Sequence, residues 1–86
     1  MNVENQVKLI VIDVLKLKLS SDEMRSDIPF FEMGLHLDSL AGLRIVLNLE
    51  KKFGFETKVG DLTREVFSDI NHLVDFVNHK MDEGGA

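Results

Sequence analysis

Residues 38 to 53 are the stretch that most limits what this chain can fold into. Leu40, Leu43, Ile45, Val46, Leu47, Leu49 and Phe53 recur at steps that a helix spreads over more than half its circumference. A helix that apolar needs partners on several sides, so it is expected at the centre of a bundle. Asp38 or Ser39 can cap its start, and Gly54 stops its end. The chain has 86 residues, enough for one domain with a small core.

The partners are legible on either side. Val3, Val7, Ile10, Val11, Val14 and Leu15 make one stripe over residues 3 to 19, with Asn2 as a possible cap. The end of that segment reads two ways. Leu15-Lys16-Leu17-Lys18-Leu19 alternates like a strand, but no second alternating segment follows to pair with it, so helix is preferred. Ser68 or Asp69 caps a last helix whose stripe is Ile70, Leu73, Val74, Val77 and Met81. Residues 61 to 66 are expected to form a short helix or single turn. The fold class is therefore all-α: a small four-helix bundle of three main helices and one short one, with a long loop after the first. Residues 1 to 82 are expected to form the domain and residues 83 to 86 a frayed tail.

The loop, residues 20 to 37, is unusual. Ser20, Ser21 and Asp22 open it, Pro29 interrupts it, and Gly34 lies near its end. It carries Ile28, Phe30, Phe31, Met33, Leu35 and Leu37, so it must be pinned to a core. Connections beyond about 12–15 residues without structure of their own are uncommon and often functional.

Composition removes several classes of function. Fifteen Asp and Glu against ten Lys and Arg leave a net charge of −5, which argues against nucleic acid. The 44% apolar content is too high for a disordered chain. The longest apolar runs, such as Leu9 to Ile12, are far too short to span a membrane. No signal-peptide pattern precedes them, so a cytoplasmic, soluble domain is expected. With no Cys there is no thiolate nucleophile and no Cys-ligated zinc.

Catalytic signals are weak. His72 and His79 share a helix face, with Asp75 four residues before His79, but a metal would need three or four ligands. No H-E-x-x-H, EF-hand, Walker A or G-x-G-x-x-G sequence is present. Ser39 has His36 and Asp38 nearby, yet Leu37-Asp38-Ser39-Leu40-Ala41 is not a nucleophile elbow. Ser39 reads either as an ordinary helix cap or as an outward hydroxyl beside free N–H groups and the positive end of the helix dipole. The second setting favours a phosphate ester.

Phe30-Phe31-Glu32-Met33-Gly34, then Leu37-Asp38-Ser39-Leu40, then Leu49-Glu50-Lys51-Lys52-Phe53-Gly54 resemble the acyl carrier protein family. The similarity covers nearly the whole chain, through a closing helix led by Phe67, Ile70, Leu73 and Phe76. The resemblance implies a 4′-phosphopantetheine arm joined covalently to Ser39 by a phosphopantetheinyl transferase, with Asp38 assisting that loading. It implies Leu40 as a partner contact, beside which Ala41, Arg44 and His36 are further candidates, and Leu43, Val46 and Leu47 as the lining for an acyl chain, although plain core explains those three equally well. It implies no catalysis by the chain itself. The expected protein is a monomeric, stand-alone carrier of thioesters that serves acyl-transferring or condensing enzymes.

Two departures from the family pattern qualify that picture. Leu35-His36-Leu37 puts three residues between Gly and Asp-Ser-Leu where one is usual, so the loop is expected to bulge and His36 to approach the phosphate. Carriers of primary fatty acid synthesis also have a strongly acidic second helix. Here residues 38 to 52 hold Asp38 and Glu50 against Arg44, Lys51 and Lys52, a local charge of +1. Charge complementarity sets partner choice, which points to a dedicated, polyketide-like pathway. A peptidyl or D-alanyl carrier, and a helical adaptor that never receives the arm, remain as alternatives.

Overall fold

The computed structural model describes residues 2–84. Three α-helices carry the fold: α1 (Val3–Leu15), α2 (Ser39–Phe53) and α3 (Ile70–Gly84). Short 3-10 turns fill the connections at Ser21–Glu23, Phe30–Met33, Val59–Asp61 and Arg64–Phe67. No strand occurs among the described residues.

Helix α1 starts where expected, with Asn5 N–H donating to Asn2 Oδ1 at 2.7 Å. It stops four residues early. Lys16 turns into the left-handed region at φ 54°, and Leu17 N–H closes back onto Ile12 O at 2.9 Å. A non-glycine residue there costs roughly 1–2 kcal/mol. Beyond it the chain bends at Lys18 and Leu19, with Leu15, Leu17 and Leu19 half-buried and Lys16 and Lys18 exposed. The alternation of that segment is real, but it belongs to an irregular, bent connection, not to a strand or a continued helix.

The core lies where the three helices meet. Val7 and Val11 of α1, Ile45 and Leu49 of α2, and Ile70, Leu73 and Val77 of α3 are fully buried. The long loop is pinned to this core by Met24 and Phe30, both buried. Hydrogen bonds hold its middle: Ser26 Oγ donates to Glu4 Oε2 at 2.6 Å, and Asn71 N–H donates to Ser26 O at 3.0 Å. Phe31 is the exception, standing 77% exposed. After α2, Phe55 packs edge-on against Phe76 with ring centres 5.9 Å apart.

Of the two expectations for residues 61 to 66, a short helix or a single turn, the α-helical one is not met. The segment instead makes two single turns, Val59–Asp61 and Arg64–Phe67. Asp61 Oδ2 accepts from Lys58 N–H at 2.9 Å and so closes the first turn locally. The second restarts at Thr63. Neither piece is long enough to repay helix nucleation. Lys80, itself buried, ties the first turn to α3 through Asp61 at 2.8 Å. That hydrogen bond holds the Asp61 carboxyl below its ordinary pKa. Helix α3 runs to Gly84, two residues into the expected tail, and Glu83 there bonds His79 and Lys80. Residues 85 and 86 lie outside the described residues. His79 thus pairs with Glu83, not with Asp75.

Asp69, rather than Ser68, starts α3. Its Oδ1 accepts from His72 N–H at 2.8 Å and lies 2.6 Å from His72 Nδ1. This contact raises the His72 pKa above its usual 6.5. The stability it contributes is fully present below that value and is lost as pH rises through the raised folded value. We expect His72→Gln, which keeps the backbone bond to Asp69, to flatten the fall in melting temperature between about pH 6 and pH 8. Equal falls in parent and variant would show that the ring contributes nothing.

Candidate functional site

The site begins with the choice of cap. Asp38 is extended, at φ −77° and ψ 177°, and its Oδ1 accepts from Ala41 N–H at 2.8 Å. Its carbonyl accepts from Gly42 N–H at 2.9 Å. Asp38 therefore fills the cap, and Ser39 is the first residue of the helix proper. The Ser39 side chain has no bond to make in the cap and is exposed. Among the described residues the N–H groups of Ser39 and Leu40 have no acceptor, as the first turn of a helix requires. They and the dipole make this end favourable to an anion.

Beside Ser39 lies an open groove of about 550 Å³. Leu37, Asp38, Ser39, Gly42 and Leu43 form one wall, and Leu62, Thr63, Arg64 and Phe67 the other. Gly42 explains how the walls meet. It is buried, and a Cβ there would stand 3.3 Å from the Phe67 ring. Glycine lets that ring lie directly on α2. A second groove, of about 560 Å³, adjoins the first and shares Leu37, Arg64 and Phe67 with it. Its own lining includes Phe30, Phe31, Leu35 and His36.

Several expected residues converge here and several do not. Asp38, Ser39 and Leu43 share the first groove. His36 does not: it lines the second. Residues 35 to 37 before the site form no helix or turn of their own. Leu35 and Leu37 turn inward, His36 outward, and Leu35 N–H is fixed to Phe30 O at 3.0 Å. The three residues once grouped as an inner lining separate as well. Val46 is buried, whereas Leu43 and Leu47 are 46% and 47% exposed. A step of three or four residues crosses the edge of a wide apolar face, so only Leu43 reaches the groove. Leu40, Arg44, Leu47 and Lys51 form an exposed outer stripe on α2, with Ala41 half-exposed at its edge. Sequence reasoning missed Gly42, Leu62 and Arg64, and it placed Phe67 in the closing helix instead of the turn before it. The signal for Gly42 was present: a glycine inside an apolar helix marks a close approach.

A family model described as the phosphopantetheine attachment site matches residues 5–77. The chain belongs to the phosphopantetheine-binding carrier family. It is 33% identical over 76 residues to a D-alanyl carrier protein of Enterococcus faecalis, covering 86% of this chain and 91% of that one. It is 28% identical over 82 residues to an acyl carrier protein of Chlamydia trachomatis, covering 95% of this chain and all of that one. The solution structure of a holo acyl carrier protein from Nitrosomonas europaea superposes with a TM-score of 0.80. It is 26% identical and covers 95% of this chain and 99% of that one. The family cofactor is a covalently held 4′-phosphopantetheine, and an exposed hydroxyl beside two free N–H groups suits a phosphodiester. Among the described residues no cluster of three or more His, Asp or Glu is placed to hold a metal ion.

The two roles of Asp38, cap and carboxylate, are separable. Asp38→Ala should lower stability by about 1 kcal/mol, and Asp38→Asn by much less, because Asn caps nearly as well. Urea unfolding checks this, and an equal loss in both variants would remove the capping role.

Proposed function

We propose that Ser39 is the point at which the arm is attached, and that the chain is an acyl carrier that catalyses nothing itself. The observation that carries this reading is the exposed Ser39 hydroxyl at the first turn of α2, released from capping by Asp38 and opening onto an apolar groove. When attached, the arm supplies a terminal thiol able to hold an acyl group as a thioester. The residues of this chain position and present. Asp38 holds the helix end rigid and offers a carboxylate to the loading transferase. The free N–H groups of Ser39 and Leu40 favour the phosphate. Leu43 and Phe67 offer apolar surface to what is carried. Tethering then raises the local concentration of cargo at each partner enzyme. The protein works as a cytoplasmic monomer, and no described helix is long and apolar enough to cross a membrane.

Intact mass after incubation with coenzyme A and a broad-specificity phosphopantetheinyl transferase tests the attachment. One pantetheine adduct is expected on the parent and none on Ser39→Ala. A folded parent without an adduct would favour the adaptor reading.

The outer stripe of α2 suggests the partners. Leu40 and Leu47 are exposed beside Arg44 and Lys51, and neither cation has an ion pair among the described residues. Such a face suits an acidic, apolar partner surface and repels a basic one. This supports a dedicated, polyketide-like partner set over the enzymes of primary fatty acid synthesis. Arg44→Glu with Lys51→Glu is expected to improve turnover of the loaded carrier by a primary malonyl transferase. Efficient acceptance of the parent by that enzyme would refute the reading.

A D-alanyl carrier is the second reading. D-alanyl carriers match at 29% to 41% identity, against 28% for acyl carriers. The apolar grooves favour the first reading, because a small charged aminoacyl group has little use for them.

A further inference from the structure

Two donors in the wall that faces Ser39 are left without partners. Thr63 and Arg64 line the groove beside Ser39, on the side opposite α2. Thr63 stands at the cap position of the Arg64–Phe67 turn, where a threonine hydroxyl ordinarily accepts a backbone N–H, yet it makes no such bond. Only its backbone is used: its N–H donates to Asp61 O and its carbonyl accepts from Val66 N–H, each at 3.2 Å. Arg64 is exposed, and among the described residues its guanidinium has no ion pair.

Two carboxylates stand near enough to compete, and neither takes the arginine. Asp38 lines the same groove, but its Oδ1 accepts from Ala41 N–H at 2.8 Å. Glu65 follows Arg64 in the chain and lines the neighbouring groove with it, without an ion pair between them. Among the described residues Arg64 is the one Lys or Arg in the lining of either groove. An arginine that pairs with neither carboxylate holds no part of the fold together.

We propose that Arg64, with the Thr63 hydroxyl beside it, is a positioning residue that receives the phosphate of the arm. The proposal rests on the reading that Ser39 carries that arm, and it adds what fixes the arm's base. A phosphodiester on Ser39 Oγ keeps its negative charge at any pH near neutrality. The free N–H groups of Ser39 and Leu40 face it from α2. The guanidinium supplies parallel N–H donors from the opposite wall, a planar fork that matches phosphate. Loading then ties the turn to the start of α2, two elements that otherwise meet at the Phe67 ring on Gly42. The contact is exposed, so it is weak and screened by salt. A weak clamp suits a carrier: it orders the base of the arm between visits and yields to each partner enzyme.

The test compares the full chain before loading, with the bare arm, and with acetyl or malonyl on it, each state confirmed by intact mass. The chain has three arginines, Arg25, Arg44 and Arg64, so the Arg64 Nε–H signal in nitrogen–proton NMR is assigned by its loss in Arg64→Gln. That signal should move on attachment of the bare arm and stay moved with acetyl or malonyl. Loading should also raise the melting temperature of the parent by a few degrees at low salt, and by less at high salt. Arg64→Gln should lose most of this gain and Arg64→Lys part of it, while the unloaded forms of all three melt alike. Thr63→Val should lose a smaller share, and an undiminished gain would remove the hydroxyl from the site. The proposal is overturned if the bare arm leaves the Arg64 signal in place, or if Arg64→Gln gains as much as the parent. A signal that moves with malonyl alone would assign Arg64 to the carboxylate of the cargo and overturn the phosphate contact. Failure to load Ser39 would instead overturn the reading beneath it, and the proposal with it.

Discussion

A single hydrogen bond, from Ala41 N–H to Asp38 Oδ1, decides what the start of α2 can do. Two adjacent residues, Asp38 and Ser39, could each have filled that cap. Had Ser39 filled it, its hydroxyl would have been committed to the backbone one residue before the helix. With Asp38 in the cap, the serine moves onto the first turn, exposed, next to N–H groups that the helix itself cannot satisfy. The aspartate thus does by position what a dedicated binding pocket would do by volume. A chain this short has no spare core from which to build a pocket.

The same economy governs α2 as a whole. Its inner face, with Gly42, Ile45, Val46 and Leu49, closes the core. Its outer face, with Leu40 and Leu47, is partly left in solvent. A helix apolar on both sides is a poor choice for stability alone, because the outer leucines contribute nothing to the core. They make sense as surface kept for something that comes and goes. Arg44 and Lys51 on the same face keep it soluble and give it a sign opposite to the net charge of −5. The average charge of the chain therefore says little about the surface a partner meets.

Where the sequence was legible, one periodicity dominated. The stripes of α1 and α3, the ends of α2 and the pinning of the long loop all follow from apolar spacing and from residues with one strong preference, such as Asp38 and Gly54. Reading failed where two local signals competed. Leu15 to Leu19 alternates along a bent connection that half-buries its leucines, yet without a sheet partner the alternation reads as a helix end. Lys16 in a left-handed conformation carries no mark in the sequence, since glycine is the usual signal. The faces of α2 were blurred for the opposite reason: when most positions are apolar, periodicity no longer says which of them turn inward. Leu43 and Leu47 were assigned inward on that account. Gly42 would have resolved the matter, because a small residue fixes the side on which something packs close.

Segments 20 to 37 and 54 to 69 are the places where sequence rules say least, and they supply the second groove and one wall of the first. This is a physical consequence rather than a coincidence. Long helices with satisfied backbones and buried stripes resist local opening, while single 3-10 turns held by two or three bonds do not. A groove of this size cannot be cut into the rigid part of so small a core without unfolding it. It has to lie between a helix and a turn that can yield. Gly42 and Phe67 mark that seam: on one side is a long helix, on the other a ring on a short turn, with no Cβ between them. The division of labour between a fixed wall and a yielding one lets 86 residues be both stable and able to hold something.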